Sequence, residues 1–406
     1  MSGTVLAALV GWACVGMLLL LSLLVAYQWL LALAALLPSR ARESHPGAVR
    51  SRFLVLVPAH DEESGIATTL GSLAEVDYPR DRARIVVIAD RCHDGTATVA
   101  RQCGAICLER TGGPSGKGAA IAWAIDELRR SGTGFDALVI TDADTVVDRQ
   151  LLDAFDEGLR AGHEVQQGYN TLSNPWETPF TRIIAVTSVL RNGFFYVGKE
   201  RLGLPVMLSG TGMCFSRRVI ERRGWTAFSV GEDWEFSVSL LLEGETIHFN
   251  PRARVLAKES RDFRQASSQR LRWASGRHAV AASGAGLLFK TGLRQRRPLL
   301  WDSALSIVAP TYSVQATLAL LCLGASWFLS RGSDWPVLFG WAAGVTGGLA
   351  AYFLLGVART EAPLRALEGI ALIPAFLPWR MAIEVLGLMG YGRKQWVRTS
   401  RLSTGR

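Results

Sequence analysis

Uncharged residues run unbroken from Val5 to Leu37, and Gln28 is the one strongly polar side chain among them. A bilayer-crossing helix needs about 20 apolar residues, so this run predicts a membrane span with length left for tilt or an interfacial extension. A cleaved signal peptide fits it poorly, because the run is too long and lacks a basic region ahead of it. Two further apolar segments occupy roughly 303–329 and 336–357, joined by the short connector SRGSDWP. The stretch 363–390 is also apolar but is interrupted by Arg365, Glu368, Pro374, Pro378, Arg380 and Glu384. It is expected to lie in the interface or re-enter, without crossing. Arg40 and Arg42 follow the first run, and Arg294, Arg296 and Arg297 precede the second. The positive-inside bias therefore places 38–300 in the cytoplasm and keeps the basic tail YGRKQWVRTSRLSTGR on the same side.

From Arg52 onward the pattern changes. FLVLVPAH, ARIVVIAD and FDALVITDAD read as buried strands, and 64–75, 96–103 and 117–130 as amphipathic helices between them. Strand–helix–strand alternation implies a doubly wound, mostly parallel sheet with ligands beyond the carboxyl ends of its strands. Each strand does end in polar residues: His60, Asp61 and Glu62, then Asp90, then Asp142 and Asp144. The expected organisation is a span over 1–38, a cytosolic α/β domain over 39–300, two spans over 301–360, and an interfacial segment with a basic tail over 361–406.

Charge and composition narrow the classes. A net charge of +9 suits an anionic membrane surface and an anionic ligand without requiring nucleic acid. The six cysteines form no CxxC pair and no zinc spacing, so free thiols in a reducing compartment are expected. His45, His60, His93, His163, His248 and His278 are scattered, with no grouping that signals a metal.

The candidate chemistry lies at the strand ends. In VITDADTVV, Asp142 and Asp144 sit two residues apart just after a buried strand. A turn there would bring both carboxylates to one point, where a hard divalent cation could bridge them to phosphate oxygens. Asx residues also stop strands for local reasons. GGPSGKGAA misses the Walker spacing twice, since residue 111 is Thr and Gly118 follows Lys117. A glycine-rich turn into a helix still places Lys117 near an anion. GTGMCF lacks the final glycine of a dinucleotide fingerprint. In SVGEDWEFSVSLLLEG, Glu232 and Asp233 open an amphipathic helix, a place where acids are favoured by the helix dipole and where one could serve as a base.

In this order, PAHDE (58–62), IADRCHDGT (88–96), GKG (116–118), DAD (142–144), GTG (210–212), GED (231–233) and QRLRW (269–273) resemble the family 2 glycosyltransferases of the GT-A fold. The likeness is to the smaller membrane-integrated polysaccharide synthases, such as those making chitooligosaccharides and poly-N-acetylglucosamine. It covers nearly all of the cytosolic stretch and implies a Rossmann-like, mixed but mostly parallel sheet beside α-helical transmembrane segments. It further implies that Pro58, His60, Glu62 and Asp90 cradle the nucleoside of a UDP-sugar, with Lys117 near the nucleotide. Asp142 and Asp144 would hold Mg²⁺ or Mn²⁺ on the diphosphate, and Asp233, beside Glu232, would be the catalytic base. Gln269 and Arg272 would meet the nucleotide, and Trp273 and Gly212 the acceptor, a glycan or a lipid-linked sugar. Two motifs depart from the family pattern: its usual DDGS is Asp90-Arg91-Cys92-His93-Asp94-Gly95 here, and its TED is Gly231-Glu232-Asp233.

On a helix, Gln269, Arg272 and Trp273 fall at i, i+3 and i+4 and share a face, while Arg270 is expected to point elsewhere, as a structural residue or toward lipid headgroups. Arg272 would give a permanently charged contact to diphosphate, and Trp273 a flat face for a sugar ring. Trp396, Thr399 and Arg401 match the spacing of a gating loop seen in cellulose synthases; a basic interfacial tail anchored by tryptophan is the plainer reading. The expected activity is inverting transfer from a UDP-sugar to build a surface or extracellular polysaccharide at the inner membrane. The alternative is a single transfer to a lipid-linked acceptor. Membrane lipids, a second copy of the chain or other assembly proteins are the expected partners.

Overall fold

The computed structural model describes residues 3–38, 50–331 and 335–392. Eight strands form one sheet: β1 (Phe53–Ala59), β2 (Ala83–Asp90), β3 (Ile106–Arg110), β4 (Ala137–Ile140), β5 (Thr145–Val147), β6 (Val165–Leu172), β7 (Met213–Ser216) and β8 (Ile247–Ala257). Their spatial order is β3-β2-β1-β4-β7-β6-β8-β5. The β3-β2-β1-β4 half is wholly parallel, β7 runs antiparallel to both its neighbours, and β6 and β8 pair in parallel. Fully apolar strands suit a sheet covered on both faces. Alternation along β1 sends Leu54 and Leu56 into one layer, with Ile121 and Ile125 of the helix Lys117–Arg130. It sends Phe53, Val55 and Val57 into the other, with Leu70 of Ile66–Ala74 and Phe155 of Leu151–Arg160.

The strand expected over 135–144 is shorter than its pattern suggests. β4 ends at Ile140, and the chain turns through Asp142 and Asp144 before β5 begins at Thr145. Two carboxylates cannot share a buried ladder with apolar neighbours, so the strand stops where they begin.

Helices Gly3–Leu36, Tyr312–Ser330 and Pro336–Ala358 pack together through Leu18, Leu21, Ala319, Leu338 and Ala342. Inside this bundle Gln28 donates to Gln315 across 2.9 Å, satisfying two polar groups on otherwise apolar helices. The apolar segment expected over 303–329 is divided: Pro298–Val308 ends before Pro310, and a separate helix starts at Tyr312. Proline has no N–H to give a continuing helix.

The 363–390 stretch folds as Pro363–Glu368, a tight turn and Ile373–Leu388. By length and composition it could cross a membrane, as could Val5–Leu36, Tyr312–Ser330 and Val337–Ala358. Its polar residues are nonetheless paired within the protein. Glu384, 6% exposed, accepts from Arg380 and His278 at 2.7 and 3.1 Å and from Arg277. Gly387 presses on Ala274 and Ser275 of the long helix Phe263–Gln295, so the segment lies along that helix.

Candidate active site

The strand ends supply the floor of the site. β1 and β2 run in register from Phe53↔Ala83 to Ala59↔Ala89, so His60 and Asp90 emerge at one edge, where His60 Nδ1 meets the Asp90 carbonyl at 2.7 Å. Pro58 is the half-buried penultimate residue of β1. The residues just past the two strands, Asp61 and Arg91, both take left-handed backbone, with φ of 54° and 50°. Strained backbone of this kind collects at functional turns. Arg91 stands where the family pattern has aspartate, a residue that tolerates this region better. The Asp61 carboxylate secures the turn by accepting from the His93 N–H at 2.6 Å.

Asp90 is less available to a nucleoside than its motif implies. It is 6% exposed, and its two oxygens accept from Arg110 at 2.6 Å and Arg91 at 2.9 Å. Asp94, the displaced second acid, caps locally, accepting from the Thr96 and Glu63 N–H groups at 3.0 and 3.1 Å. The Glu62 N–H donates to Thr96 Oγ1 at 2.8 Å, which binds the PAHDE turn to the helix Thr96–Gln102. A cleft of about 570 Å³ opens beside Arg110, lined by Thr111, Gly113, Trp123, Asp126 and Phe228.

Asp142 and Asp144 flank Ala143, which is buried and pinned by Thr69 Oγ1 donating to its carbonyl at 2.7 Å. Both acids lie in the turn that joins β4 to β5. Hard carboxylate oxygens with no soft donor among the neighbours named here fit Mg²⁺ or Mn²⁺, and two protein ligands leave coordination positions for phosphate oxygens. Asp142 is also ion-paired with Lys117, which donates a second hydrogen bond to the Gly210 carbonyl at 2.6 Å.

Lys117 heads its helix because Gly116, with φ of 118°, makes the turn and Gly118 lets the chain come against Ala227. A Cβ at Gly118 would lie 2.1 Å from the Ala227 carbonyl oxygen. A Cβ built at Gly210 would stand 3.7 Å from Lys117 Nζ and 3.5 Å from Asp233 Oδ2. Lys117, Asp142, Gly210 and Asp233 therefore converge on one point.

Thr211 and Gln167 hold that loop in place, and the sequence reading missed both. Thr211 Oγ1 accepts from the Asp142 N–H at 3.1 Å; Gln167 receives the Ser209 N–H at 2.8 Å and donates to the Thr211 carbonyl at 3.0 Å. Their signal was available only as GTG following a polar pair in a strand. Gly212, expected at the acceptor, is instead buried against Val255, its carbonyl accepting from the Gly168 N–H at 2.7 Å. Its left-handed backbone shapes the turn, and Gly210 is the glycine facing the acids.

Glu232 and Asp233 open the helix Glu232–Leu242. Burial pushes the Asp233 carboxyl up to about 6, against the pull of the Trp234 N–H and the Lys117 ammonium. Burial and the neighbouring Asp233 charge push Glu232 up to about 7. Glu235, one turn on, is structural, receiving the Phe228 and Ser229 N–H groups at 3.1 and 2.9 Å. Gly231 meets Gly276 of the long helix backbone to backbone, and a Cβ on Gly276 would lie 3.0 Å from the Gly231 nitrogen. This contact seats GED against the long helix, one turn from Arg272.

Arg272, largely buried, has its pKa lowered by burial while the charges of Glu232 and Asp142 oppose the shift. Its guanidinium thus lies in the field of the same acids. Gln269 is half-buried on the same helix. Trp273 is 48% exposed, and one of its faces is covered: the Arg270 guanidinium lies 4.9 Å from its ring centre. Arg270, expected to point away, is instead held there by an ion pair with Glu259. Trp396, Thr399 and Arg401 lie outside the described residues, whose last member, Gly392, rests against Leu271 and the Arg272 backbone.

Comparison with known proteins decides the family. Residues 50–276, more than half of the chain and including every one of these motifs except the tail, match the family described as "Glycosyltransferase like family 2". The chain belongs to that family, and it is a glycosyltransferase. A curated relative, the probable glycosyltransferase YdaM of Bacillus subtilis (strain 168), is 27% identical over 258 residues, covering 61% of this chain and 60% of the relative. The chain thus spans about 60% of the length of that protein. Among solved structures, the mannosyltransferase PcManGT from Pyrobaculum calidifontis, solved with GDP-Man and Mn²⁺, superposes with a TM-score of 0.58 at 20% identity. That match covers 96% of this chain and 99% of the other, so the shared fold takes in the apolar helices with the sheet. A fragment of Staphylococcus aureus TarS also matches, at a TM-score of 0.40 and 14% identity, covering 86% of this chain and 93% of the fragment. The fold is GT-A, joined to four helices that by length and composition could cross a membrane.

Proposed function

We propose that the protein is an inverting transferase that moves a sugar from a UDP-sugar to a growing glycan at the cytoplasmic face of a bacterial inner membrane, building a surface or extracellular polysaccharide. The observation that carries this reading is the convergence of Lys117, Asp142, Gly210 and Asp233, with Arg272 in the field of the same acids. Asp142 and Asp144 would hold Mg²⁺ or Mn²⁺, whose chemistry there is to neutralise a leaving diphosphate. The residues do the rest. Arg272 and Lys117 add positive charge toward the diphosphate, Gln269 borders it, and His60, Glu62 and Pro58 line the nucleoside end. Asp233 takes the proton of the acceptor hydroxyl as its oxygen attacks the anomeric carbon, its basicity raised by burial. The uncovered face of Trp273 receives the acceptor ring. Asp90 contributes by fixing Arg110 and Arg91 at the nucleoside edge.

The helices Gly3–Leu36, Tyr312–Ser330 and Pro336–Ala358 are read as spans, and 363–390 as interfacial, because Glu384 pairs with Arg277 and His278 of the long helix. Release of UDP from UDP-glucose, UDP-N-acetylglucosamine and UDP-galactose in the presence of Mn²⁺, with GDP-mannose as comparison, tests the donor. Release of UDP from one of the three supports the reading, and turnover of GDP-mannose alone overturns its donor assignment. Product length separates polymerisation from the single transfer to a lipid-linked acceptor.

A further inference from the structure

We propose that His163, Glu200 and His248 form a second metal site, for a borderline transition ion of the zinc type, distinct from the acids at the strand ends. One nitrogen of each imidazole and one oxygen of the carboxylate all lie within 4.8 Å of one another. Glu200 Oε1 is 3.4 Å from His248 Nδ1 and 4.0 Å from His163 Nδ1, so one carboxylate oxygen faces the same nitrogen of both rings. In a tetrahedral zinc site with bonds of about 2.0–2.1 Å, ligand atoms stand about 3.3 Å apart. The cluster must therefore contract by less than about 1.5 Å.

The rings are stacked, with centres 3.6 Å apart and planes inclined by 14°. Coordination needs them to splay so that both lone pairs meet, a rotation about each Cβ–Cγ bond. The donor set favours Zn²⁺ over Mg²⁺: imidazole suits Zn²⁺, Co²⁺ and Ni²⁺, whereas an all-oxygen set suits Mg²⁺ and Mn²⁺. The carboxylate is already oriented, because its other oxygen accepts from the Phe249 N–H at 2.9 Å. Two imidazoles and one carboxylate leave a fourth position for water.

The site is remote from the reaction in the sheet. β4 and β6 run the same way, both antiparallel to β7. Asp142 follows the end of β4, whereas His163 precedes the start of β6 and His248 is the second residue of the adjacent β8. Glu200 comes from the short helix Val197–Arg201, whose Gly198 packs on Leu31 of the first helix. Next to it, Lys199 pairs with Asp302 at 2.7 Å and donates to Ser306 at 2.6 Å. An ion here would tie the β6–β8 edge of the sheet to the segment that carries the membrane helices. The competing occupant is a proton shared between imidazole and carboxylate.

Zinc binding to the full chain in detergent is measured by calorimetry and by its effect on melting temperature. The wild type and Asp144→Asn are expected to bind Zn²⁺ alike, with a melting temperature that rises with zinc. His163→Gln and His248→Gln are expected to lose tenfold or more in affinity and all of the thermal response. X-ray absorption at the zinc edge of the wild type, which needs no variant, is expected to show imidazole in the first shell. An all-oxygen shell, or zinc affinity unchanged in both histidine variants, would overturn the proposal.

Discussion

At the scale of single residues, Asp233 carries the sharpest expectations. Removing a general base costs roughly 10²–10⁴ in turnover, so Asp233→Asn should lower kcat by that factor with nucleotide affinity retained. Its carboxyl is held up near 6 by burial. A base works only when deprotonated, so activity should fall as pH drops through about 6, and a profile flat to pH 5 would contradict the assignment. The sign for stability is opposite. A carboxyl with a raised pKa binds its proton more tightly in the folded state, so its stabilising contribution is lost as pH rises through 6. Asp233→Asn should therefore raise the melting temperature at pH 8 while leaving it unchanged near pH 4.

The acids and Lys117 were legible in the sequence because each is a charged residue at a strand or helix terminus, and Arg272 because its spacing puts it on one helix face with Gln269 and Trp273. The residues that hold them were not. Thr211 and Gln167 have no pattern of their own and act through backbone atoms of other segments. Arg270 looked free to point outward, and only the position of Glu259 at the end of another loop shows why it covers Trp273. Gly212 was assigned by its motif, whereas the register against Val255 decides that it is buried.

Elements were read well where periodicity is strong. The strands at 53–59 and 83–90 and the helix at 117–130 are where the pattern puts them. The divided helix around Pro310 and the short β5 were not seen, because a single proline or a three-residue strand barely alters an apolar average. The contact that matters most at this scale is Gly231 against Gly276. Gly276→Ala should displace GED relative to QRLRW and lower kcat at least tenfold, with donor KM little changed, since misplacement near 1 Å can cost about 10²-fold. Ser283→Ala, at an exposed position of the same helix, should have no such effect. Glu384 anchors the last helix to this one through Arg277, with His278 beside it, and pairs with Arg380 of its own helix, so it neutralises two guanidiniums. Glu384→Gln leaves them buried and uncompensated, and should cost about 3 kcal/mol in unfolding free energy, read by denaturant melts.

For the molecule as a whole, the apolar runs and basic flanks in the sequence predict a catalytic domain facing the cytoplasm. Cys103 provides a native reporter, being the exposed cysteine of the domain. In intact cells a membrane-impermeant maleimide should fail to label it and should do so after permeabilisation; labelling of intact cells would reverse the orientation. Where the last apolar segment lies could not be read from composition, because its Glu384 is satisfied by Arg277 and His278, more than a hundred residues earlier in the chain.

In the proposed reaction one cleft divides its labour, with Asp144 serving the metal-bound diphosphate and Asp233 the acceptor proton. UDP binding and UDP-sugar turnover, measured with Mn²⁺ in Asp144→Asn and Asp233→Asn side by side, test it most directly. Asp144→Asn is expected to lose UDP affinity and turnover together, and Asp233→Asn to keep affinity while losing turnover. Wild-type turnover in Asp233→Asn, or undiminished UDP binding in Asp144→Asn, would contradict it.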